Sequence, residues 1–286
     1  MSDLKPLRLD IVSDVVCPWC YIGKHRIEDA LKLVPDVPVE VHWRPFFLNN
    51  WVPREGISRD EYLTAKFGSV DAYKGIAGRV VAAANEEGLT YHPELVKRQP
   101  NTIDCHRLIH WAEAKGKAAE MKQRLMELYF RDGGDLTDSN VLVQAAADVG
   151  LDADDIRKRL ASDEDVALVS AQAQEAAEKG ISGVPTFVFA QKYAVSGAQP
   201  AEQLARAIRR MRERRVSAIP STAALYVACG HDAVRKIFLA TFRALPNILA
   251  RATRSSAAEN RCPGALRFAP FTWSPKFRAC LAIGKT

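Results

Sequence analysis

The sequence predicts an α/β fold in which a large helical segment interrupts a small mixed sheet. Three patterns support this prediction. Near the N-terminus, two runs of alternating apolar and polar residues flank an amphipathic segment. In residues 58–179, apolar residues recur at helical spacing. Two more strand patterns and a helical pattern follow. The predicted order is β-α-β, an all-helical insertion between the second and third strands, and then β-β-α.

The first strand, Leu7–Val12, leads through Cys17-Pro18-Trp19-Cys20 into the amphipathic segment Tyr21–Val34. Two cysteines separated by two residues between a strand and a helix are typical of thiol–disulfide exchange. The free N–H groups and the dipole of a helix N-terminus stabilise a thiolate there. Cys17 is therefore predicted to be the more exposed and more acidic nucleophile, and Cys20 the resolving thiol.

A zinc site, a structural disulfide and idle thiols are the alternative interpretations of this motif. Zinc needs a second cysteine pair or a Cys/His couple at matching spacing. The four remaining cysteines are scattered along the chain: Cys105, Cys229, Cys262 and Cys280. Cys105-His106 completes a Cys₃His set only if the fold brings it to the motif. The strand–CxxC–helix context favours a redox site, with no metal.

The second strand, Val37–Arg44, alternates cleanly and precedes the helical insertion. Ser58-Arg59-Asp60-Glu61 is a capping box that opens this insertion, and Gly88 marks the end of its first helical part. Further helices are predicted over about residues 102–115, 117–131, 140–149, 152–161 and 163–179.

The remaining elements are a hairpin and a helix. Thr186–Phe189 and Tyr193–Ser196 read as strands, joined by a turn at Gln191-Lys192 that lacks the usual Gly or Asn. Pro200 suits the first turn of a helix that runs to about residue 215. Without the insertion, two parallel strands, an antiparallel hairpin and a closing helix remain, which is the thioredoxin topology.

These elements define the predicted domains. The thioredoxin-like domain comprises residues 1–57 and 181–215, the insertion is residues 58–180, and residues 216–286 form a C-terminal extension.

The segment Gly183-Val184-Pro185-Thr186 enters the third predicted strand. Proline after valine restricts the backbone to extended geometry and is a candidate cis bond. The order of elements resembles that of thioredoxin-like proteins, in which this loop lies beside the CxxC motif and exposes backbone groups to an extended substrate; the resemblance implies the same position here. Val184 and Pro185, together with a partly exposed Trp19, are therefore the candidate substrate-binding residues. An ordinary X-Pro turn is the alternative.

Hydrophobic content and charge distribution limit the classes of protein to which the chain can belong. No apolar run approaches the roughly 18 residues that span a bilayer. Residues 1–6 lack the pattern of a secretory signal, so we expect a cytoplasmic location, where CxxC thiols are more often catalytic. The net charge is +6, but ten Lys or Arg and two Asp or Glu lie from Val216 onward, which leaves residues 1–215 at −2. Nucleic-acid binding by this body has no compositional support.

Five ordered motifs in residues 7–212 resemble FrnE-type members of the DsbA family of thiol–disulfide oxidoreductases. They are Asp10 to Gly23, Trp43-Arg44-Pro45-Phe46, Asn101-Thr102 with His106-Arg107-Leu108, Gly183 to Phe187, and Ser196 to Gln199. The same superfamily contains 2-hydroxychromene-2-carboxylate isomerases and kappa-class glutathione transferases. Those typically carry Ser at the nucleophile position, whereas this chain has both cysteines.

The resemblance implies a dithiol–disulfide oxidoreductase or isomerase with Cys17 as nucleophile, Cys20 as resolving thiol and Pro185 as the cis-proline. Its substrates would be protein or small-molecule disulfides and dithiols. No resident cofactor is expected, although glutathione is a candidate co-substrate. A glutathione-dependent isomerase or transferase and a chaperone-like binding module are the alternatives. The redox partner and the oligomeric state, a homodimer included, stay open.

His106 is the candidate auxiliary proton acceptor, because it belongs to the matched Asn101-Thr102 segment. His110 lies four residues further on the same helix face, and His42 is a third histidine to weigh. A helix-surface or capping role is the alternative for each of them. Cys105 is expected to be a small buried residue.

The extension from Val216 to Thr286 lies beyond the family resemblance. His231–Arg254 has a partly amphipathic, basic pattern that Pro246 interrupts, and a membrane-surface or anionic partner is one interpretation. The favoured prediction is a poorly ordered extension, so that truncation after Arg215 leaves thiol exchange and thermal unfolding nearly unchanged.

Overall fold

The structure is a computed structural model that describes residues 5–217, and side chains of residues 5–214. The predicted extension therefore lies outside the described residues, apart from the end of the last helix. Contacts divide the chain into two units, residues 1–213 and 214–286. No helix within the described part of the chain is both long and apolar enough to cross a membrane.

The secondary-structure elements follow one another in an order close to the predicted one. They are β1 (Leu7–Ser13), α1 (Pro18–Lys32), β2 (Val39–Pro45), β3 (Ile57–Ser58), α2 (Arg59–Phe67), α3 (Val70–Glu86), β4 (Arg98–Gln99), α4 (Ile103–Glu113), α5 (Ala118–Phe130), α6 (Ser139–Asp148), α7 (Ala153–Leu160), α8 (Val166–Glu178), β5 (Thr186–Phe189), β6 (Tyr193–Ser196) and α9 (Ala201–Ser217).

The central sheet has the strand order β2-β1-β5-β6. Strand β1 pairs with β2 in parallel, and α1 is the crossover that a parallel pair requires. Strand β5 is antiparallel to β1, and β6 is antiparallel to β5. Leu7, Leu9 and Ile11 alternate along β1 and are buried in the core. The predicted α/β fold, a thioredoxin-like scaffold with a helical insertion, is confirmed.

The helices of the insertion begin and end within a few residues of their predicted positions. Ser58 caps α2, because its hydroxyl accepts a hydrogen bond from the Glu61 backbone N–H at 3.2 Å. The structure adds a two-residue strand pair, β3 with β4, that the sequence did not predict. Segments this short carry no alternation that a sequence pattern could reveal.

The hairpin between β5 and β6 turns one residue earlier than predicted. The Lys192 N–H donates to the Phe189 carbonyl at 3.0 Å, so Ala190 and Gln191 are the central residues of the turn. Both have positive φ, at 50° and 57°. Gly and Asn adopt this backbone region most readily, which is why their absence misplaced the predicted turn.

The insertion and the scaffold share one hydrophobic core. Tyr21 of α1 stacks on Phe130 of α5 with ring centroids 5.4 Å apart, so an insertion helix packs directly on the helix that carries the cysteines. A second, smaller cluster contains Val52, Tyr62 and Leu63. Because of the Tyr21–Phe130 stack, the start of α1 packs against the insertion as well as against the scaffold.

Candidate active site

The two cysteines lie on the first turn of α1. Cys17 is the N-cap residue, and Pro18 occupies the first helical position, where its missing N–H costs nothing. The Cys17 carbonyl accepts hydrogen bonds from the N–H groups of Cys20 at 2.9 Å and Tyr21 at 3.2 Å. Both thiols are free. The local sequence thus places a dithiol at the positive end of a helix dipole.

The segment before β5 lies directly against Cys17. The Cys17 Sγ is 3.7 Å from the Val184 carbonyl oxygen, and the Val184–Pro185 peptide bond is cis. Gly23 allows this close approach, since a Cβ added there would lie 2.8 Å from the Pro185 Cγ. Cys17, Val184 and Pro185 are therefore brought together, although they are far apart in sequence.

The two thiols are both buried, so the expected difference in exposure is small. Cys17 is 4% exposed and Cys20 is 1% exposed. The Val184 carbonyl against Cys17 Sγ accounts for part of this cover. Trp19, between them in sequence, is 40% exposed.

The environments of the thiols push their pKa values in opposite directions. The pKa of Cys17 is lowered, first because the Cys20 thiol donates a hydrogen bond to its thiolate and then through nearby backbone N–H groups. Burial raises the pKa of Cys20, and the neighbouring Cys17 thiolate raises it further. The dithiol can thus hold one negative charge, centred on Cys17.

His106 is buried and contacts neither thiol among the described contacts. Its Nε2 lies 3.4 Å from Asp14 Oδ1, and its ring packs edge-on against Phe47. Burial lowers its pKa, so the imidazole is neutral at pH 7. The surface or capping alternative is therefore wrong for His106. His42 differs, because it is less buried and lies between Glu40 and Glu113.

The zinc alternative has no geometric support in residues 5–214. The ligand atoms of Cys17, Cys20, Cys105 and His106 do not assemble into a three-residue cluster there. Cys105 is fully buried, and burial raises the pKa of its thiol. It has the character of a small core residue.

Two buried charged residues near the dithiol were missed by sequence reasoning. Asp14 is fully buried, and its Oδ2 accepts a hydrogen bond from the Leu48 N–H at 2.8 Å. Lys122 of α5 is 1% exposed, and it acts electrostatically on both Cys17 and Cys20. No sequence signal distinguishes Lys122 from a solvent-facing lysine of an amphipathic helix, since only the packing of α5 on α1 buries it.

The loop after β2 and helix α2 together form an aromatic patch near the site. Trp51 is half exposed and stacks on Tyr62 with centroids 6.0 Å apart. The Tyr62 hydroxyl donates to Asn49 Oδ1 at 3.3 Å. Burial raises the pKa of Tyr62, and the charge of Cys17 adds to this effect. This patch was not predicted, because Trp51 and Tyr62 lie outside the matched motifs.

Comparison with known proteins identifies the family. Residues 8–209 match the DSBA-like thioredoxin domain. The chain belongs to this family of thiol–disulfide oxidoreductases. Among solved structures, a probable DsbA oxidoreductase from Streptomyces coelicolor is 36% identical, with a TM-score of 0.67 over 72% of this chain and 90% of that one.

Two further relatives are more distant. YwbO of Bacillus subtilis, an uncharacterized protein, is 26% identical over 64% of this chain and 86% of its own length. A 2-hydroxychromene-2-carboxylate isomerase is 15% identical with a TM-score of 0.55, over 73% of this chain and 98% of that chain. That likeness shows a common fold.

Proposed function

We propose that this DsbA-family protein is a dithiol–disulfide oxidoreductase or isomerase that works through Cys17 and Cys20. The position of Cys17 is the main support for this function. Its thiol lies at the N-cap of α1, against the Val184 carbonyl, and has a lowered pKa beside a Cys20 whose pKa is raised. A low-pKa thiol with a second thiol nearby is the arrangement that disulfide exchange requires.

The reaction proceeds in two exchanges. The Cys17 thiolate attacks a substrate disulfide, which forms a mixed disulfide and releases one substrate thiolate. Cys20 then attacks the Cys17 sulfur, so the Cys17–Cys20 disulfide forms and the second substrate thiol leaves. The substrate gains two electrons and the protein loses them. In the opposite direction, the oxidised pair accepts two electrons from a substrate dithiol.

The substrate lies along the segment that carries Val184 and Pro185. The Val184 carbonyl points to Cys17 Sγ, so an extended chain attached to Cys17 passes within hydrogen-bonding reach of this backbone. Trp19, two residues after Cys17, offers an exposed aromatic side chain. Protein and small-molecule disulfides both fit this description, and we propose them as the substrate class.

Glutathione as co-substrate and a cytoplasmic location stay predictions. Exchange of Cys17 with oxidised glutathione tests the first, and cell fractionation with an antibody against the chain tests the second. Saturable binding of glutathione without any disulfide chemistry would favour the isomerase or transferase alternative instead.

The decisive experiment distinguishes the role of Cys17 from that of Cys20. Cys20→Ser is expected to accumulate a mixed disulfide at Cys17 with a model protein disulfide, because no resolving thiol is present. Cys17→Ser is expected to be inert. Peptide mass spectrometry after rapid alkylation at mildly acidic pH should also show preferential labelling of Cys17 in the reduced wild type. Equal labelling, or trapping through Cys20, would overturn the assignment.

A further inference from the structure

Asp14 is a buried residue that contacts three separate parts of the chain. Its backbone carbonyl accepts a hydrogen bond from the Cys17 N–H at 3.3 Å, which closes the turn between β1 and α1. One carboxylate oxygen, Oδ2, accepts a hydrogen bond from the Leu48 N–H at 2.8 Å, in the loop after β2. The other oxygen, Oδ1, lies 3.4 Å from His106 Nε2 on α4. A single side chain therefore anchors the turn that leads to Cys17.

His106 is the group that the second carboxylate oxygen faces. Neither Asp14 Oδ1 nor His106 Nε2 has a nearer hydrogen-bond partner in the described part of the chain. A carboxylate oxygen can only accept, so this contact is favourable when the imidazole carries a proton on Nε2. The imidazole thereby relieves the cost of burying an ionised carboxylate. Phe47 supports the ring of His106, because it packs edge-on against it with centroids 5.7 Å apart.

The position of Cys17 depends on this anchor. Only Val15 and Val16 separate Asp14 from Cys17, and both are buried. A displacement of Asp14 therefore moves Cys17 as well, since the Cys17 N–H is bonded to the Asp14 carbonyl. The Cys17 Sγ has to stay in register with the Val184 carbonyl, which lies 3.7 Å away. Reaction rates are sensitive to such placement, because a shift of about 1 Å can cost about 100-fold.

We propose that Asp14 is a positioning residue for the Cys17 nucleophile and that His106 acts on Cys17 through Asp14. The inference rests on the proposed function, since it concerns capture of a substrate disulfide. In that step the Cys17 sulfur bonds to one substrate sulfur, the substrate S–S bond breaks, and the other substrate sulfur leaves as a thiolate. Neither Asp14 nor His106 gains or loses a proton in this step. The insertion, through α4, thus helps to place the nucleophile of the scaffold.

The charge of Asp14 and its positioning role act on Cys17 in opposite directions. The negative charge raises the pKa of Cys17, so the charge by itself disfavours the thiolate. Removal of the charge should therefore lower the pKa of Cys17, whereas loss of the anchor should slow the reaction of the thiolate once it has formed. The titratable groups whose charges couple to Asp14 are Cys17, Cys105, His106, Lys122 and Tyr129.

The test compares Asp14→Ala with Asp14→Asn in the full chain, both in a Cys20→Ser background that stops the reaction at the mixed disulfide. Capture of oxidised glutathione by Cys17 is followed by acid quenching and mass spectrometry, at rising pH until the rate is constant. This limiting rate belongs to the fully ionised thiolate. Both variants lose the charge, but only the asparagine amide can still bond to the Leu48 N–H and to His106. The limiting rate of Asp14→Ala should be about tenfold below that of Asp14→Asn.

Variants of His106 test whether the histidine acts through Asp14. His106→Leu should slow capture in the same background, and the double variant with Asp14→Ala should be no slower than the slower single variant. His106→Gln should restore most of the rate, because its amide N–H can donate to the carboxylate. His110→Leu is the matched control, since it lies on the same helix four residues further on, and it should leave the rate unchanged.

A purely structural role would lower the free energy of unfolding but leave the limiting rate of the folded molecules unchanged. Equal limiting rates for Asp14→Ala and Asp14→Asn would therefore overturn the positioning role, and additive losses in the double variant would overturn the action of His106 through Asp14. If Asp14→Ala does not fold, equal rates for His106→Leu and His106→Gln would overturn the proposal. Absence of any mixed disulfide at Cys17 in the Cys20→Ser parent would instead contradict the proposed function itself.

Discussion

At the scale of single residues, the site depends on different surroundings for two thiols of the same helical turn. Cys17 is at the helix N-cap, where backbone N–H groups and the Cys20 thiol favour its thiolate. Cys20 is three residues further along the same turn, where burial disfavours charge. The sequence pattern alone predicts this division, because helix geometry determines which cysteine meets the free N–H groups.

Gly23 tests the contact between α1 and the Val184–Pro185 segment. Gly23→Ala should displace that segment, because the new Cβ would lie 2.8 Å from the Pro185 Cγ. We expect a loss of about 1–3 kcal/mol in the free energy of unfolding and slower capture of substrate at Cys17. Denaturant unfolding and single-turnover exchange measure the two effects.

The matched control is Gly75→Ala within α3, where an added Cβ meets no atom within 4 Å. It should stabilise the protein by about 0.5–1 kcal/mol, since alanine is the better helix former. Equal effects of the two substitutions would mean that the close approach at Gly23 has no consequence.

His106 should make stability depend on mildly acidic pH. Its pKa is lowered by burial in the folded state, whereas the unfolded chain binds a proton near pH 6.5. The unfolded state therefore binds more protons between these two values, and stability falls as pH decreases through this window. His106→Gln should reduce the loss of stability between about pH 7 and about pH 5.

Asp14 contributes a separate loss of stability at lower pH. Its pKa is also lowered in the folded state, so its contribution disappears below the unfolded value of about 3.9. Thermal unfolding followed across pH measures both contributions. An identical pH dependence for the wild type and His106→Gln would argue against a buried neutral imidazole.

At the scale of elements, short segments limited what could be predicted. The long helices were predicted from apolar residues at helical spacing, and the structure has helices in those segments. The Ser58 capping box places the start of α2 correctly. The strand pair β3–β4 has two residues per strand, too few for any pattern. The hairpin turn was misplaced because Ala190 and Gln191 adopt positive φ without being Gly or Asn.

That turn is a target for stabilisation. Ala190→Asn with Gln191→Gly supplies residues that adopt positive φ more readily than Ala and Gln do. We expect the free energy of unfolding to rise by about 1–2 kcal/mol, since each unfavourable backbone conformation is relieved. Denaturant unfolding measures it, and the reversed pair, Ala190→Gly with Gln191→Asn, serves as comparison. A decrease in both variants would exclude backbone strain at the turn.

At the scale of the whole molecule, one core joins the scaffold to the insertion, and the site lies where they meet. The CxxC motif and the Val184–Pro185 segment could be predicted from sequence, because each is a local pattern in a fixed topology. The sequence did not allow the same prediction for Asp14, Lys122 or the Trp51–Tyr62 stack. Asp14 lies three residues before Cys17, but its burial, the position of Lys122 and the Trp51–Tyr62 stack depend on how α5, α2 and the loop after β2 pack. No local pattern encodes that packing.

Equilibration of the full chain with reduced and oxidised glutathione at a series of ratios tests most directly whether Cys17 and Cys20 form a redox-active pair. Acid quenching, alkylation and peptide mass spectrometry then report the state of each cysteine. We predict that a Cys17–Cys20 disulfide forms and disappears reversibly with the glutathione ratio, in a single two-electron transition, while buried Cys105 stays a thiol. Cysteines 17 and 20 that remain reduced at every ratio, or that pair with other thiols, would contradict the assignment of this site.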